Sequence, residues 1–551
     1  MIGFTERYKY LLIFSGILII YFLNLFIDVM DVDAAQYASI SMEMSQTDSY
    51  LEVYHRGLDY LDKPPLLFWL SSISMKIFGY SNFAYKLPSF LLAILGVYST
   101  FRFARLHYSR QIAIMAAVIL ATSQALFQIT NDVRTDTNLL AFVIFSVWQL
   151  SAFLQTNKWK HLIFGFSGVA LAMLAKGPIG MVAVVAALGT DFLIKREWKH
   201  IFNWKWLVGI LVVAIWLAPM TYGLYNQFDL HPEKTAYGIK SPSGVKFFYW
   251  TQSFGRITGE SSWKDDTSFF FFFHSILWDF QPWILFLVLG LITTVRSFFD
   301  RTSQKFAEYR KEYITLGGFV LVFLALSLSR FKLPHYVYVT FPFAAIIAAR
   351  YLAGLQRSIA AVAGQLFFNS LFWIILLVGS VLIFSPPNIL LPVILGILFI
   401  VWWAVIVNVK VHANKIFFAT IVTGIAFNLN LSWSFYPQLI HGYQGSSTAG
   451  KMAWKHNKQG AFFWYRAHDH TLDFYSKHII DGRNLNTLSA MNSGDWVYTN
   501  SEGYRDILRD SLPFKVVTPL NDFPVAQLTL PFLLRESRAA HVDTCYLLER
   551  L

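Results

Sequence analysis

Residues 11–37 read LLIFSGILIIYFLNLFIDVMDVDAAQY, an uncharged run from Leu11 to Phe26 followed at once by Asp28, Asp31 and Asp33. Extended by its flanking turns, such a run reaches the ~20 residues that a helix needs to cross a bilayer. Carboxylates are costly in hydrocarbon, so the three aspartates must lie on a watery face at the end of the span. Arg7 and Lys9 precede the run, and positive residues mark the cytoplasmic side. The run has no small-residue cleavage site and many more spans follow, so it reads as a retained signal anchor.

The pattern recurs along the chain. Of 551 residues, 55% are apolar, 18% aromatic and only 14% charged, against roughly a quarter charged in soluble proteins. A window of about 20 residues places spans near 10–29, 86–106, 112–129, 138–154, 162–175, 178–194 and 207–226. Further spans fall near 275–296, 314–329, 335–353, 361–384, 389–408 and 415–434, about thirteen in all. Long uncharged runs disfavour a transmembrane barrel, whose strands alternate apolar and polar residues. Disordered and coiled-coil classes are excluded by the same composition.

The net charge of +12 does not indicate a nucleic-acid partner. Most cations sit in short loops on one side, for example Arg102, Arg105 and Arg110, then Lys195, Arg196 and Lys199. There they fix topology and meet anionic headgroups. An odd number of spans with the N-terminus inside leaves the C-terminus outside. The single cysteine, Cys545, cannot form an intramolecular disulfide.

Three outward stretches exceed simple connectors: 30–85, 227–274 and 435–551. The first holds amphipathic pieces at Asp33–Met44 and Pro64–Phe78, expected as helices at the membrane interface. The last has strand-like runs at Asp495–Thr499, Phe514–Val517 and Thr544–Leu548. The expected organisation is a transmembrane domain over 1–434 and a soluble α/β domain over 435–551. No internal repeat is evident, which weighs against many transporter folds.

The candidate chemistry lies at span ends on the outer side. Asp33 can take a proton from an attacking hydroxyl or orient a sugar, or simply cap the helix that follows. In Asp62-Lys63-Pro64-Pro65 the prolines start a helix, and the carboxylate and ammonium suit a metal and a phosphate. Asn131-Asp132-Val133-Arg134-Thr135-Asp136 puts a guanidinium between two carboxylates, a cluster suited to phosphate and sugar recognition. Lys176-Gly177-Pro178 separates two apolar runs, and a Lys at that depth needs an anion or a route to the surface. Arg330-Phe331-Lys332-Leu333-Pro334-His335-Tyr336 is a cationic cluster on the side that topology leaves poor in cations, as if to hold a phosphate there. The 227–274 loop adds Arg256, Asp265, Asp266 and His274, a lid or a plain polar loop. His55 and His274 are candidate metal ligands with Asp62, although no spacing matches a recognised metal motif. A Gly-rich phosphate loop and a Gly-x-Ser-x-Gly elbow are both lacking in the sequence.

Taken in order, Asp33 with Tyr37, Asp62-Lys63-Pro64-Pro65, Asp136, Ala175-Lys176-Gly177-Pro178 and Lys332-Leu333-Pro334-His335-Tyr336 resemble the motifs of the polytopic GT-C-fold glycosyltransferases. The similarity is to the bacterial relatives of protein O-mannosyltransferases and of lipid A aminoarabinose transferases, and it covers nearly the whole chain. It implies a GT-C-like helical membrane fold and a polyprenyl-phosphate-linked sugar as donor. Asp33 and Asp136 are then the catalytic candidates, and Lys63, Arg134, Lys176, Arg330 and Lys332 hold the donor phosphate. Tyr37, Asp132, Arg256 and Tyr336 bind substrate. In aminoarabinose transferases an acid matching Asp62 and loop histidines bind a metal, which leaves a divalent ion as a candidate cofactor. Ala34 and Gln36 depart from the family, which commonly has Glu and Arg at these places.

The expected function is transfer of a sugar from a polyprenyl phosphate to a lipid A, lipopolysaccharide, glycan or protein acceptor outside a bacterial inner membrane. A lipid-phosphate sugar carries its own leaving group, so cations around the departing phosphate matter more than a general acid. One displacement inverts the anomeric centre. The alternatives are a flippase for a lipid-linked glycan, or a membrane scaffold whose last domain binds a partner.

Overall fold

In the computed structural model, residues 4–255, 267–300, 302–355, 358–407, 413–456 and 460–551 are described. The chain opens with α1 (Phe4–Asn24), α2 (Asp33–Thr47), α3 (Leu66–Phe78) and α4 (Asn82–His107). α5 (Arg110–Ala121), α6 (Gln124–Asn131), α7 (Thr135–Thr156), α8 (Trp159–Lys176) and α9 (Ile179–Lys195) follow. Further helices run over Lys205–Leu224, Phe271–Asp279, Ile284–Phe299, Ile314–Ser327, Phe341–Ala353, Ile359–Leu382, Leu390–Val407 and Ala413–Asn430.

Every apolar run expected to span is helical, yet among the described residues seven helices are long and apolar enough to cross a membrane, or eight if α5 and α6 form one bent span. Two runs are broken. The 112–129 run turns by 48° between α5 and α6, where the Ser123 hydroxyl bonds back to the Leu120 carbonyl. The 275–296 run divides at Phe280–Trp283, where Pro282 has no N–H to continue a helix. Others, such as Ile314–Ser327, are shorter than a bilayer is thick.

α7 is the axis of the bundle, buried from Thr135 to Phe153 on nearly every side. It approaches α8 closely because Gly165 has no side chain; a Cβ there would lie 2.5 Å from Leu150 Cδ2. Small residues at such crossings let helices gain dispersion contacts that lipid cannot replace.

On one side of the bundle the 30–85 stretch folds into α2, a hairpin of β1 (Tyr54–His55) and β2 (Leu58–Asp59), and α3. α2 is not the amphipathic surface helix expected. Ala34, Ala35 and Tyr37–Ser45 are all buried, because α3 and the last part of the chain both cover it. The 227–274 stretch contributes a hairpin of β3 (Thr235–Ala236) and β4 (Ile239–Lys240).

The last region is an α/β unit with a five-stranded sheet in the order β6-β5-β7-β9-β8. Its strands are β5 (Phe462–Tyr465), β6 (Asp481–Gly482), β7 (Trp496–Asn500), β8 (Phe514–Asp522) and β9 (Asp543–Arg550). β5 runs parallel to β6 and β7, and β9 is antiparallel to both β7 and β8. The helix before it passes the expected boundary at 434, continuing through Leu431–Phe435 into Tyr436–Tyr443.

This unit is fastened to the 30–85 stretch. Phe474 and Tyr475 share a core with Tyr37, Ile40 and Met44. Tyr475 Oη accepts from the Val29 N–H at 2.7 Å, Gln46 donates to the Lys477 carbonyl at 2.8 Å, and Arg56 pairs with Asp473.

Candidate functional site

The groups gather where α2, α3, α6, α7 and α8 end together. Asp33 is the first residue of α2, where the helix dipole favours a carboxylate. It pairs with Arg134, which sits 101 positions away at the start of α7. Arg134 is held from its other side by Asp132, Nε to Oδ2 at 2.9 Å. Burial brings the Arg134 pKa down to about 10, against the pull of Asp136. The guanidinium stays charged at neutral pH. Behind Asp132 lies Lys86 of α4, fully buried and bonded to Asn131 Oδ1 at 3.2 Å.

Asp136, one residue into α7, is buried. It pairs with Lys176 at the end of α8 and lies 3.8 Å from His335 Nε2. Lys176 also stands over the Tyr336 ring, 3.7 Å from its centroid, a cation–π contact. The turn that aims Lys176 depends on Gly177, whose φ of +81° disfavours any side chain. Gly177 also lies against Gln252 and Ser253 of the 227–274 stretch.

Lys63 bonds to Asp62 at 2.7 Å just before α3, and Gln252 donates to the Asp62 carbonyl. Tyr37 is buried edge-on to Phe68 at 5.7 Å. Burial raises its pKa, and Tyr60, Asp62 and Asp136 add to the shift. Lys63, Lys176, Gln252 and Tyr336 line one cavity of about 120 Å³, whose remaining wall includes Leu139 and Ile179. Its character is therefore split between cationic and apolar.

The site thus brings together Asp33, Asp132, Arg134, Asp136, Lys63, Lys176, Tyr37 and Tyr336. The cationic loop divides: Lys332 is buried and donates to the Thr267 carbonyl at 3.0 Å, whereas Arg330 is exposed. Arg256 lies outside the described residues, as do Asp265 and Asp266.

The expected metal set is not assembled. Among the described residues no three His, Cys, Asp or Glu side chains are grouped to hold a metal ion. Asp62 is bonded to Lys63, and His274 is exposed on its helix. His55 packs on His470 of the α/β unit, ring centroids 4.8 Å apart. Burial and the neighbouring imidazole bring the His55 pKa down to about 3, and burial with His468 brings His470 to about 4. These residues do not fit a metal site.

Sequence reasoning missed His335 as a site residue, although the motif containing it was visible. It also missed Gln252 and Asp279. Tyr338 donates to Asp279 at 3.1 Å, extending the polar network beneath the site; neither residue stands in a spacing pattern that marks it.

The fold has known counterparts. The fold is shared with ArnT from Cupriavidus metallidurans, solved apo and bound to undecaprenyl phosphate, at TM-scores of 0.73 and 0.72 and 17% and 16% identity. The alignments cover 98% of this chain and 98% and 97% of those chains. The chain is a polytopic membrane protein of the GT-C fold. In sequence, residues 62–222 match the family described as dolichyl-phosphate-mannose-protein mannosyltransferase. An undecaprenyl phosphate-alpha-4-amino-4-deoxy-L-arabinose arabinosyl transferase of Sodalis glossinidius is 27% identical over 68% of this chain and 66% of that protein. One from Proteus mirabilis is 23% identical over 64% of this chain and 61% of its own length. The chain thus spans about two thirds or less of the length of these curated relatives.

Proposed function

We propose that the protein is a glycosyltransferase that moves a sugar from a polyprenyl phosphate to an acceptor on the outer side of a bacterial inner membrane. The acceptor class is a lipid A or lipopolysaccharide, another glycan, or a protein. The N-terminus is then cytoplasmic and the 435–551 region periplasmic. One observation carries the reading: Lys63 and Lys176 share a mostly apolar cavity with Tyr336, beside the Asp33–Arg134 pair. The relatives named above, which act on an undecaprenyl-phosphate-linked sugar, support the same donor class.

The chemistry follows from these groups. At about 120 Å³ the cavity is below the size that encloses a whole ligand, so it suits a phosphate head with an apolar chain leaving along Leu139 and Ile179. Asp33 accepts the proton of an acceptor hydroxyl, whose oxygen forms a bond to the anomeric carbon. The bond from that carbon to the phosphate oxygen breaks on the opposite face, with inversion. The phosphate leaves as polyprenyl phosphate, its growing charge met by Lys63 and Lys176. Arg134 orients Asp33. Where the acceptor is itself an anionic lipid phosphate, Asp33 positions it and takes no proton.

The test is mass spectrometry of lipid A, surface glycans and exported glycoproteins from cells lacking the gene, complemented with wild type or Asp33→Asn. Loss of one sugar that only wild type restores is the expected result. An unchanged glycome with a lipid-linked sugar retained on the inner leaflet overturns it in favour of a flippase.

A further inference from the structure

Away from the candidate site, α1, α4 and α5 leave a gap between them. It is a cavity of about 800 Å³ with apolar walls that include Phe14, Ile17, Ala93, Val97 and Ala117. Leu18 and Ile94, which also line it, are 47% and 42% exposed, so the cavity opens sideways where lipid surrounds the bundle. One end is sealed by Tyr21, whose hydroxyl donates to the Ala121 carbonyl at 3.0 Å. The other end carries Tyr10 and Arg110.

Length and sidedness define what fits. From Tyr10 to Tyr21 the wall formed by α1 is roughly 17 Å long at ~1.5 Å per residue, about half the ~30 Å hydrocarbon core. That is the depth of one leaflet. α4 begins at Asn82, bonded to Asp28 near the candidate site at 2.9 Å, and ends at His107. The Arg110 end therefore belongs to the leaflet opposite Asp33. Arg102 is near this end too, bonded to the cavity residue Tyr98 at 2.6 Å and stacked over Trp148 at 4.7 Å. None of the residues lining the cavity is acidic.

We propose that this cavity binds an anionic glycerophospholipid of the leaflet opposite the candidate site, its phosphate on Arg110 and its acyl chains along α1 and α4. The charge at the mouth selects the headgroup, and the dry, leaflet-deep wall selects the chains. The occupant packs α1 against the bundle, and α1 leads directly into Asp31 and Asp33. The inference rests on the membrane fold and is independent of the transferase reading.

The test is native mass spectrometry of the full chain released from nanodiscs holding equal phosphatidylglycerol and phosphatidylcholine with matched acyl chains. Wild type is expected to retain one phosphatidylglycerol in preference. Arg110→Gln lowers that preference about fivefold, the effect of one cation near an anionic headgroup. Ala93→Trp fills the cavity and abolishes retention. Arg110 is exposed, so its replacement keeps the test readable even where Ala93→Trp fails to fold. Equal retention of both lipids, retention insensitive to Arg110→Gln, or displacement by added polyprenyl phosphate would each overturn the proposal.

Discussion

Both ends of the helix bundle hold charged groups between helices, and they treat them in opposite ways. At the end away from Asp33, Glu312 and Arg350 have side chains 0% and 1% exposed. Glu312 accepts from the Thr315 N–H at 2.7 Å, the Thr315 hydroxyl at 2.6 Å and the Tyr108 hydroxyl. At the other end the Asp33 and Arg134 side chains are 36% and 13% exposed, and Lys63 and Lys176 face a cavity. A buried pair braced by neighbouring hydroxyls, as Glu312 is by Thr315 and Tyr108 and Arg350 by Tyr108 and Thr294, is a structural joint. A pair left open to a cavity keeps charge available for something else, at a cost that packing elsewhere must offset.

The contrast predicts separable losses. Asp33→Asn should lower sugar transfer by about 10²–10⁴-fold, the usual worth of a general base, with unchanged thermal unfolding in detergent. Comparable destabilisation would move Asp33 into the structural class. Glu312→Gln should do the reverse, lowering stability by about 3–5 kcal/mol because Arg350 is left buried with a broken partner. Transfer per folded molecule should hold, and a matching fall in activity would break the distinction. Lys63→Met should reduce kcat/KM by roughly 10–100-fold, as for one charge-assisted bond to phosphate, read in membranes against a titrated donor.

The smallest effect is a pH dependence confined to the open end. Burial and the neighbouring Asp469 push the Asp31 pKa up to about 9, and burial brings Asp522 up to about 6. A carboxyl whose pKa rises on folding stabilises the fold at low pH and loses that contribution as pH climbs through the raised value. Docking of the α/β unit should therefore loosen from about pH 4, just above the ordinary carboxyl value of 3.8, up to pH 9, with Asp522 contributing only up to about pH 6. Hydrogen exchange in 469–480 should accelerate over that range and that in 308–315 should not, and Asp31→Asn should flatten the dependence.

How much of this was legible depended on distance along the chain. Apolar runs are local, so the helices were readable, except where Pro282 and the turn at Ser123 divide a run that hydropathy alone treats as continuous. The Asp132–Arg134–Asp136 cluster was visible because its members lie within five residues. The Asp33–Arg134 pair joins groups 101 positions apart, and the Lys176–Asp136 pair joins groups 40 apart. Only the packing of α2 and α8 against α7 creates them. The expected ligand set of Asp62, His55 and His274 is dispersed for a related reason. His55 was taken with histidines of the outer loops, whereas the fold places it on His470, more than 400 residues on. The burial of α2 was equally hidden, since its cover arrives from the far end of the chain.

The sheet order carries a consequence for synthesis. β9, residues 543–550, lies between β7 and β8 and is, among the described residues, the strand that β8 pairs along. A ribosome must therefore deliver the residues of β9 before the sheet can close. Non-local pairing of this kind is slow to form. A nascent chain halted short of β9 has by then emitted every helix of the bundle, yet the sheet of the α/β unit is still open.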